Sequence, residues 1–161
     1  VNYFHVCNDN VLLAMGVDRK KLPEPAKWCE IIAEDLAKNL TERLFYYLLW
    51  EIDGKPIGHS NINKIVYGDH AYVHMHVWHQ GLRRNGYGSY FIRRCITEYF
   101  EKFKLKKIYC EPNADNRAQN TLLAKSGFTF LKEYETVPGS INFQQKVKRW
   151  VLTESELRDI Q

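Results

Sequence analysis

Residues 83–88 read Arg83-Arg84-Asn85-Gly86-Tyr87-Gly88, so two glycines stand one residue apart behind a pair of arginines. Glycines at this spacing let the backbone turn tightly and bring successive N–H groups close to an anion, and the arginines add positive charge. An ordinary turn with solvated arginines has the same composition. The hexapeptide alone therefore leaves both interpretations open.

The segments on either side favour an anion-binding loop. Residues 71–78 alternate between apolar side chains and aromatic or imidazole side chains, which predicts a strand. Downstream, one apolar stripe with helical spacing predicts a helix that starts near Gly88; its members are Ile92, Ile96, Tyr99, Phe100 and Phe103. A strand, a glycine loop and a helix in this order point a helix N-terminus at a phosphate group. The segment lacks the Gly-Lys-Ser/Thr of a Walker loop and the third glycine of a dinucleotide fingerprint.

The composition predicts one α/β domain over residues 1–161. The chain is 45% hydrophobic and 14% aromatic, which supports a real core and argues against disorder. A net charge of only +4, mostly dispersed, argues against general nucleic-acid binding. A basic cluster on or just after the predicted helix could meet a phosphorylated nucleotide or simply be solvated; it comprises Arg93, Arg94, Lys102, Lys104, Lys106 and Lys107.

Cysteine usage and hydropathy predict a cytoplasmic protein without a membrane partner. The four cysteines are scattered without CxxC spacing, so we expect reduced thiols. The longest apolar run, residues 44–50, is far shorter than the roughly 20 residues of a membrane-spanning helix, and no signal-peptide pattern opens the chain. Because the chain begins with Val1 rather than Met, the sequence leaves open whether its natural beginning is missing.

Periodicity and turn signals predict the remaining elements as a mixed sheet with helices around it. We expect helices over residues 10–16, 26–40, 88–103 and 115–125, with a short one from residue 153. We expect strands over residues 1–6, 43–52, 56–66, 71–78, 107–110, 128–134 and 146–152. The strand over 107–110 follows a crossover helix, so it should lie parallel to the strand over 71–78.

A second motif lies in residues 108–128, which read Ile-Tyr-Cys-Glu-Pro-Asn-Ala-Asp-Asn-Arg-Ala-Gln-Asn-Thr-Leu-Leu-Ala-Lys-Ser-Gly-Phe. Together with Arg-x-x-Gly-x-Gly, this segment resembles the acyl-CoA-binding signatures of the GCN5-related N-acetyltransferase (GNAT) superfamily. The matching positions are Asn116, Lys125, Gly127 and Phe128. The pair Glu111-Pro112 is similar to the bacterial branch of aminoglycoside 6'-N-acetyltransferases, siderophore acyltransferases and ribosomal-protein acetyltransferases. The resemblance implies the GNAT fold, a central mixed sheet of about six or seven strands flanked by helices.

The resemblance also implies where acetyl-CoA binds. Backbone N–H groups around the loop would hold the pyrophosphate, the strand edge would pair with the pantetheine arm, and the strands over 71–78 and 107–110 would diverge to admit the thioester. The implied cofactor-binding residues are Val77, Trp78, Arg83, Arg84, Asn85, Gly86, Tyr87, Gly88 and Asn116. Many relatives have a tyrosine where this chain has Leu123, which removes the obvious proton donor to the leaving thiolate. A thiol with a reference pKa of about 8.5 is already a fair leaving group near neutral pH.

The chemistry needs a group that takes a proton from the acceptor amine, whose pKa is about 10.4 for a lysine-like amine. His74 occupies the strand position where the resembling enzymes tend to have Asp or His, and an imidazole pKa of about 6.5 suits a general base. We rank Glu111 second, as a residue that orients the acceptor or relays its proton, and His76 third. Both histidines could instead be hydrogen-bonded core residues. No further ligands stand near His-x-His, so no metal is expected.

These observations predict an acetyl-CoA-dependent N-acetyltransferase that works by direct attack of a primary amine in a ternary complex. The expected acceptor is a small molecule, bound by Glu111 and by Trp28 from the early helical region, although an aromatic residue at helical spacing is often core. Two alternatives stay open: a non-catalytic acyl-CoA-binding regulatory module and a protein N-terminal acetyltransferase. We expect no nucleic-acid partner and a monomer or homodimer.

Overall fold

A six-stranded mixed sheet runs through the part of the chain that the computed structural model describes, residues 2–83 and 85–158. Its strands are β1 (Phe45–Ile52), β2 (Lys55–Val66), β3 (His70–Val77), β4 (Lys107–Cys110), β5 (Thr129–Thr136) and β6 (Gln145–Thr153). They lie in the order β1-β2-β3-β4-β6-β5, and the β3–β4 pair is parallel while the other pairs are antiparallel. The predicted fold class and the predicted parallel crossover are confirmed.

Six helices accompany the sheet: α1 (Asn2–Val6), α2 (Asp9–Ala14), α3 (Pro25–Leu36), α4 (Tyr87–Phe103), α5 (Arg117–Lys125) and α6 (Glu154–Arg158). Local chemistry explains several of their ends. Pro25 opens α3, where its missing N–H costs nothing. The predicted capping box of α6 is confirmed, because Thr153 Oγ1 accepts from Glu156 N and the Glu156 carboxylate accepts from Thr153 N at 2.7 Å. No helix among the described residues is long and apolar enough to cross a bilayer.

Two predicted elements are wrong in kind or extent. The sequence predicts a strand over residues 1–6; Val1 lies outside the described residues, and residues 2–6 form α1, a short helix. Its Tyr3 and Phe4 rings pack against the ring of His76. The helix predicted over 26–40 ends at Leu36. The cause is Asp35, whose buried carboxylate accepts the backbone N–H groups of Leu44 and Phe45 and so directs the chain into β1.

The main core lies between one face of the sheet and α4. The predicted apolar stripe of α4 is confirmed, because all five of its members are buried. It packs with Val73 and Met75 of β3 and with Ile108 and Leu123, in one cluster of buried side chains. Burial of each such side chain contributes about 1.5–3 kcal/mol, so this face sets the register of β3. The even-numbered side chains of β3 consequently point to the opposite face.

The strands β3 and β4 separate partway along their length. They pair only at His70, Ala71 and Tyr72, although β3 continues to Val77 with β2 as its partner. On the other side β4 ends at Cys110 and is followed by Pro112, which has no N–H to continue a ladder. The ladder between the two strands therefore ends at Tyr72, as the predicted divergence requires, and we call the region between them beyond Tyr72 the slot.

Candidate active site

The glycine loop leads into the start of α4, where three backbone N–H groups have no acceptor among the described residues. Gly86 has a φ of +82°, in the left-handed region that glycine tolerates best, and it turns the chain into the helix. The N–H of Tyr90 donates to the carbonyl of Gly86 at 3.0 Å. Among the described residues no carbonyl accepts from the N–H groups of Tyr87, Gly88 and Ser89. Such a helix start is suited to an anion.

Basic side chains surround this helix start. The exposed Arg83 donates from Nη2 to the carbonyl of Val77 at 3.3 Å, which ties the loop back to the end of β3. A surface depression next to the loop is lined by Gly86, Ser89, Tyr90, Arg93 and Arg94. Arg84, the other arginine predicted to bind the cofactor, lies outside the described residues.

Val77 and Trp78, the two residues predicted to pair with the pantetheine arm, already use some of their backbone hydrogen-bonding groups within the protein. The backbone N–H of Trp78 is already used, because it donates to the carbonyl of Ile57 at 2.9 Å. Val77 pairs with Gly58 of β2, and its carbonyl accepts from Arg83. Both residues border the slot, but the peptide N–H of Trp78 faces β2.

The second signature folds as its pattern predicts. Asn116 caps α5, since its Oδ1 accepts from the N–H of Gln119 at 3.2 Å, and Gly127 closes the helix with a φ of +85°. Gly88 of the first signature faces Leu122, because a Cβ on Gly88 would lie 3.4 Å from its Cδ2. Leu123, at the position where many relatives have tyrosine, is fully buried in the core.

His74 lies half-buried on the face of β3 opposite α4. Its Nε2 is 3.2 Å from Oδ1 of Asn63, an acceptor, so Nε2 carries the proton and Nδ1 has a free lone pair. Among residues 2–83 and 85–158, nothing else hydrogen-bonds to this imidazole. Burial lowers the pKa of His74 to about 4, with Lys64 acting in the same direction and Glu111 opposing it. The ring is therefore neutral at pH 7, although it is a weaker base than an ordinary histidine.

His76 lies instead in a packed aromatic cluster, formed by Tyr3, Phe4, Trp28, His59, His76 and Trp78. Its ring centroid is 5.2 Å from that of Phe4 and 5.0 Å from that of His59, and burial holds the pKa of His76 well below its usual range. Trp28 stacks on Phe4 at 5.5 Å. These contacts agree with the structural alternative for His76 and Trp28.

Glu111 belongs to a network of three side chains, Glu111, Tyr134 and Arg149. Its Oε1 accepts from Arg149 Nε at 2.5 Å and from the hydroxyl of Tyr134, which in turn accepts from Arg149 Nη2 at 2.6 Å. The Glu111 side chain is only 5% exposed, and Arg149 balances its charge. Burial and the carboxylate raise the pKa of Tyr134 to about 12.

Sequence reasoning missed three residues of this face: His59, Tyr134 and Arg149. Each lies on a strand that the sequence predicted. Their positions beside β3 and β4 depend on the pairing of His59 with His76 and on the placement of β6 next to β4. The pattern of a single strand does not reveal such pairings.

The arrangement fits an acyl-CoA. Beyond the end of β3 lie Arg83 and a helix start whose first N–H groups have no acceptor among the described residues. His74 lies on β3 past the point where its pairing with β4 ends, and Glu111 directly follows β4. The described residues contain no group of three or more His, Cys, Asp or Glu side chains that could hold a metal ion.

Solved structures with the same fold include several acetyltransferases. Spermidine N-acetyltransferase from Vibrio cholerae, in complex with CoA and spermine, matches with a TM-score of 0.77 at 18% identity, over 94% of this chain and 86% of that chain. Aminoglycoside acetyltransferase AAC(6')-Ib with coenzyme A matches with a TM-score of 0.72 at 13% identity, over 98% and 90%. Its complex with coenzyme A and kanamycin matches with a TM-score of 0.63 at 14% identity, over 74% and 73%.

No curated protein sequence is significantly similar to the chain. A family model does match, however, and it spans residues 14–128, which include the strands β1 to β4, the glycine loop and the second signature described above. The family implies acetyl-CoA as the cofactor and acetyl transfer as the reaction. The chain therefore belongs to the acetyltransferase (GNAT) family.

Proposed function

We propose that this protein transfers the acetyl group of acetyl-CoA to a primary amine of a small molecule, by direct attack in a ternary complex. One arrangement carries the proposal: the pairing of β3 with β4 ends at Tyr72, and the neutral imidazole of His74 follows on β3. Beyond β3, the N–H groups at the start of α4 have no acceptor among the described residues. The solved relatives bind CoA with spermine or with kanamycin, which are small amines.

The cofactor would supply an acetyl group activated as a thioester. The N–H groups of Tyr87, Gly88 and Ser89 would hold its pyrophosphate, with Asn85 and Gly86 setting the shape of the loop and with Arg83 and Arg84 adding charge. Val77, Trp78 and Asn116 would border the pantetheine arm. No side chain at position 123 can protonate the departing thiolate, and its moderate basicity makes such a donor dispensable.

His74 would take the proton of the acceptor amine through Nδ1. The nitrogen becomes cationic and acidic as it attacks, so even an imidazole with a pKa of about 4 can accept from it. Asn63 holds Nε2 and thereby keeps Nδ1 free. Glu111, directly after β4, would orient the acceptor indirectly, by holding Arg149 and Tyr134 in place. His76 would support the ring of His59, and Trp28 would border the acceptor side.

We further propose a cytoplasmic location and a monomeric or dimeric state. The location is supported by the four cysteines, which are all free thiols, with Cys95 and Cys110 buried.

The test is kinetic. Release of CoA is measured with a panel of polyamines, aminoglycosides, amino acids and simple alkylamines. We expect turnover with at least one acceptor, and a fall in kcat of about 100-fold or more in His74→Gln with little change in the Kd of CoA. His70→Gln is the matched control, since His70 lies at the other end of β3 and bonds Asp69. An unchanged rate in His74→Gln would refute the assigned base.

One observation favours a second candidate, a non-catalytic acyl-CoA-binding module: Leu123 replaces the usual acid and is sealed in the core. Calorimetry separates the two functions. Tight binding of CoA without turnover on the whole panel would establish the module.

A further inference from the structure

Three tyrosines share the sheet face of His74 on the far side of the slot, and a cation lies near each ring. We call this surface the tyrosine face; its rings are Tyr72, Tyr109 and Tyr134. Lys64 Nζ lies 4.8 Å from the centroid of Tyr72, and Lys132 Nζ lies 4.6 Å from that of Tyr134. Lys107 Nζ is 5.8 Å from Tyr109, and Arg149 Cζ is within 5.8 Å of all three rings.

The charges of this face do not cancel. Arg149 is paired with Glu111, and Lys107 lies 3.9 Å from Asp69. Lys64 and Lys132 have no carboxylate partner within residues 2–83 and 85–158; the Nζ of Lys64 donates to the carbonyl of Pro138 instead. Two exposed cations are therefore left over.

No carboxylate of the face is free to receive an ammonium group. Glu111 is nearly sealed and already accepts from two donors. Glu133 and Glu135 lie on the other side of β5, because each alternates with Tyr134 along the strand, and Glu133 pairs there with Lys146 and Lys148. A polycation would meet an excess of positive charge.

We propose that the acceptor carries an anionic group, a carboxylate or a phosphate, in addition to its primary amine. The anion binds between Lys64 and Lys132 over the tyrosine face, and the amine reaches the slot beside His74. This inference rests on the proposed function and names its substrate class. It sets the protein apart from its structural relatives in complex with spermine and kanamycin, which are polycations.

The experiment compares acceptors of equal length that differ only in the terminal group. Glycine, 3-aminopropanoate and 5-aminopentanoate are each matched with the alkylamine and the diamine of the same length, and 2-aminoethyl phosphate provides the phosphate arm. We expect kcat/KM for one anionic acceptor to exceed that of its alkylamine and its diamine by at least tenfold. The better of the carboxylate and phosphate arms identifies the anion.

Two lysine variants test whether the tyrosine face causes the preference for anionic acceptors. Lys64→Gln and Lys132→Gln should each raise KM for the anionic acceptor about threefold to tenfold. Lys132→Gln should leave kcat for the alkylamine unchanged, because Lys132 has no effect on His74, whereas the charge of Lys64 lowers the pKa of that imidazole. Lys148→Gln is the matched control, because Lys148 lies on the opposite face of β6 and pairs with Glu133. A diamine or spermidine as the best acceptor, or an anionic preference untouched by both variants, would overturn the inference. Absence of turnover with every amine would instead overturn the proposed function, and this inference with it.

Discussion

Trp78 and His59 are joined by a hydrogen bond in which the indole Nε1 donates to the imidazole Nδ1 at 2.8 Å. An Nδ1 that accepts a hydrogen bond carries no proton, so this contact requires the neutral ring. Burial acts in the same direction and lowers the pKa of His59 to about 4. Because Trp78 directly follows β3 on the path to the glycine loop, we expect the protonation state of His59 to affect the conformation of the chain that leads to this loop.

We expect the free energy of unfolding to fall as the pH falls from about 6.5 to about 4. In the unfolded chain His59 binds a proton near pH 6.5, but in the folded chain it does so only near 4, so acid favours unfolding. The effect of His59 is about 3 kcal/mol over this range, and His74 and His76 act in the same direction. Urea unfolding at a series of pH values measures it. His59→Gln should flatten the dependence, whereas a substitution of the exposed His79 should not.

Asn63 fixes which ring nitrogen of His74 carries the proton, and replacement of Asn63 should shift the pH dependence of kcat/KM. In Asn63→Asp a carboxylate faces Nε2 and raises the pKa of His74, so the neutral base is lost at a higher pH as the solution is acidified. With an acceptor amine of low pKa, the acid limb of kcat/KM should shift upward by about one unit or more. In Asn63→Leu no acceptor holds Nε2, and kcat should fall about tenfold. An acid limb at the same pH in Asn63→Asp would exclude His74 as the titrating group.

Local patterns sufficed for the elements that carry the cofactor signatures. Each signal is local in sequence: the alternation of residues 71–78 predicts β3, the glycines predict the loop, and the stripe from Ile92 to Phe103 predicts α4. The N-terminal segment could not be predicted in this way. Residues 2–6 are too few to show a period, and their helical turn depends on the ring of His76, far away in sequence.

The same reasoning explains which site residues the sequence revealed. His74 and Glu111 are close to the motifs in sequence, so the sequence indicates them as site residues, but it does not indicate their burial or their hydrogen-bond partners. The weak basicity of His74 comes from burial on the sheet, and the neutralisation of Glu111 comes from Arg149 on β6. The burial of His74 depends on how the chain packs onto the sheet, and the contact of Glu111 with Arg149 depends on the placement of β6 next to β4; no local pattern encodes either.

Gly86→Ala should weaken CoA binding. At a φ of +82° an alanine is strained by about 1–2 kcal/mol, and relief of that strain would rotate the N–H groups at the start of α4. We expect the Kd of CoA to rise about fivefold or more. Gly81→Ala is the control, because a Cβ there meets open space and its φ is not in the left-handed region. Equal Kd values for the two variants, measured by calorimetry, would show that the loop conformation does not govern cofactor affinity.

The pair Glu111 and Arg149 should behave as a unit in stability and in acceptor binding. Glu111→Leu leaves Arg149 without its carboxylate partner and should lower the free energy of unfolding by about 3 kcal/mol. Arg149→Met leaves the nearly buried Glu111 carboxylate unpaired and should lower the free energy of unfolding by about the same amount. The double variant should recover most of this loss, because it removes both charges together. Urea unfolding of the four proteins gives the coupling energy. If Glu111 also orients the acceptor, the double variant will regain stability while its KM for the acceptor stays high and its Kd for CoA stays unchanged. Recovery of KM along with stability would instead confine Glu111 to a structural role.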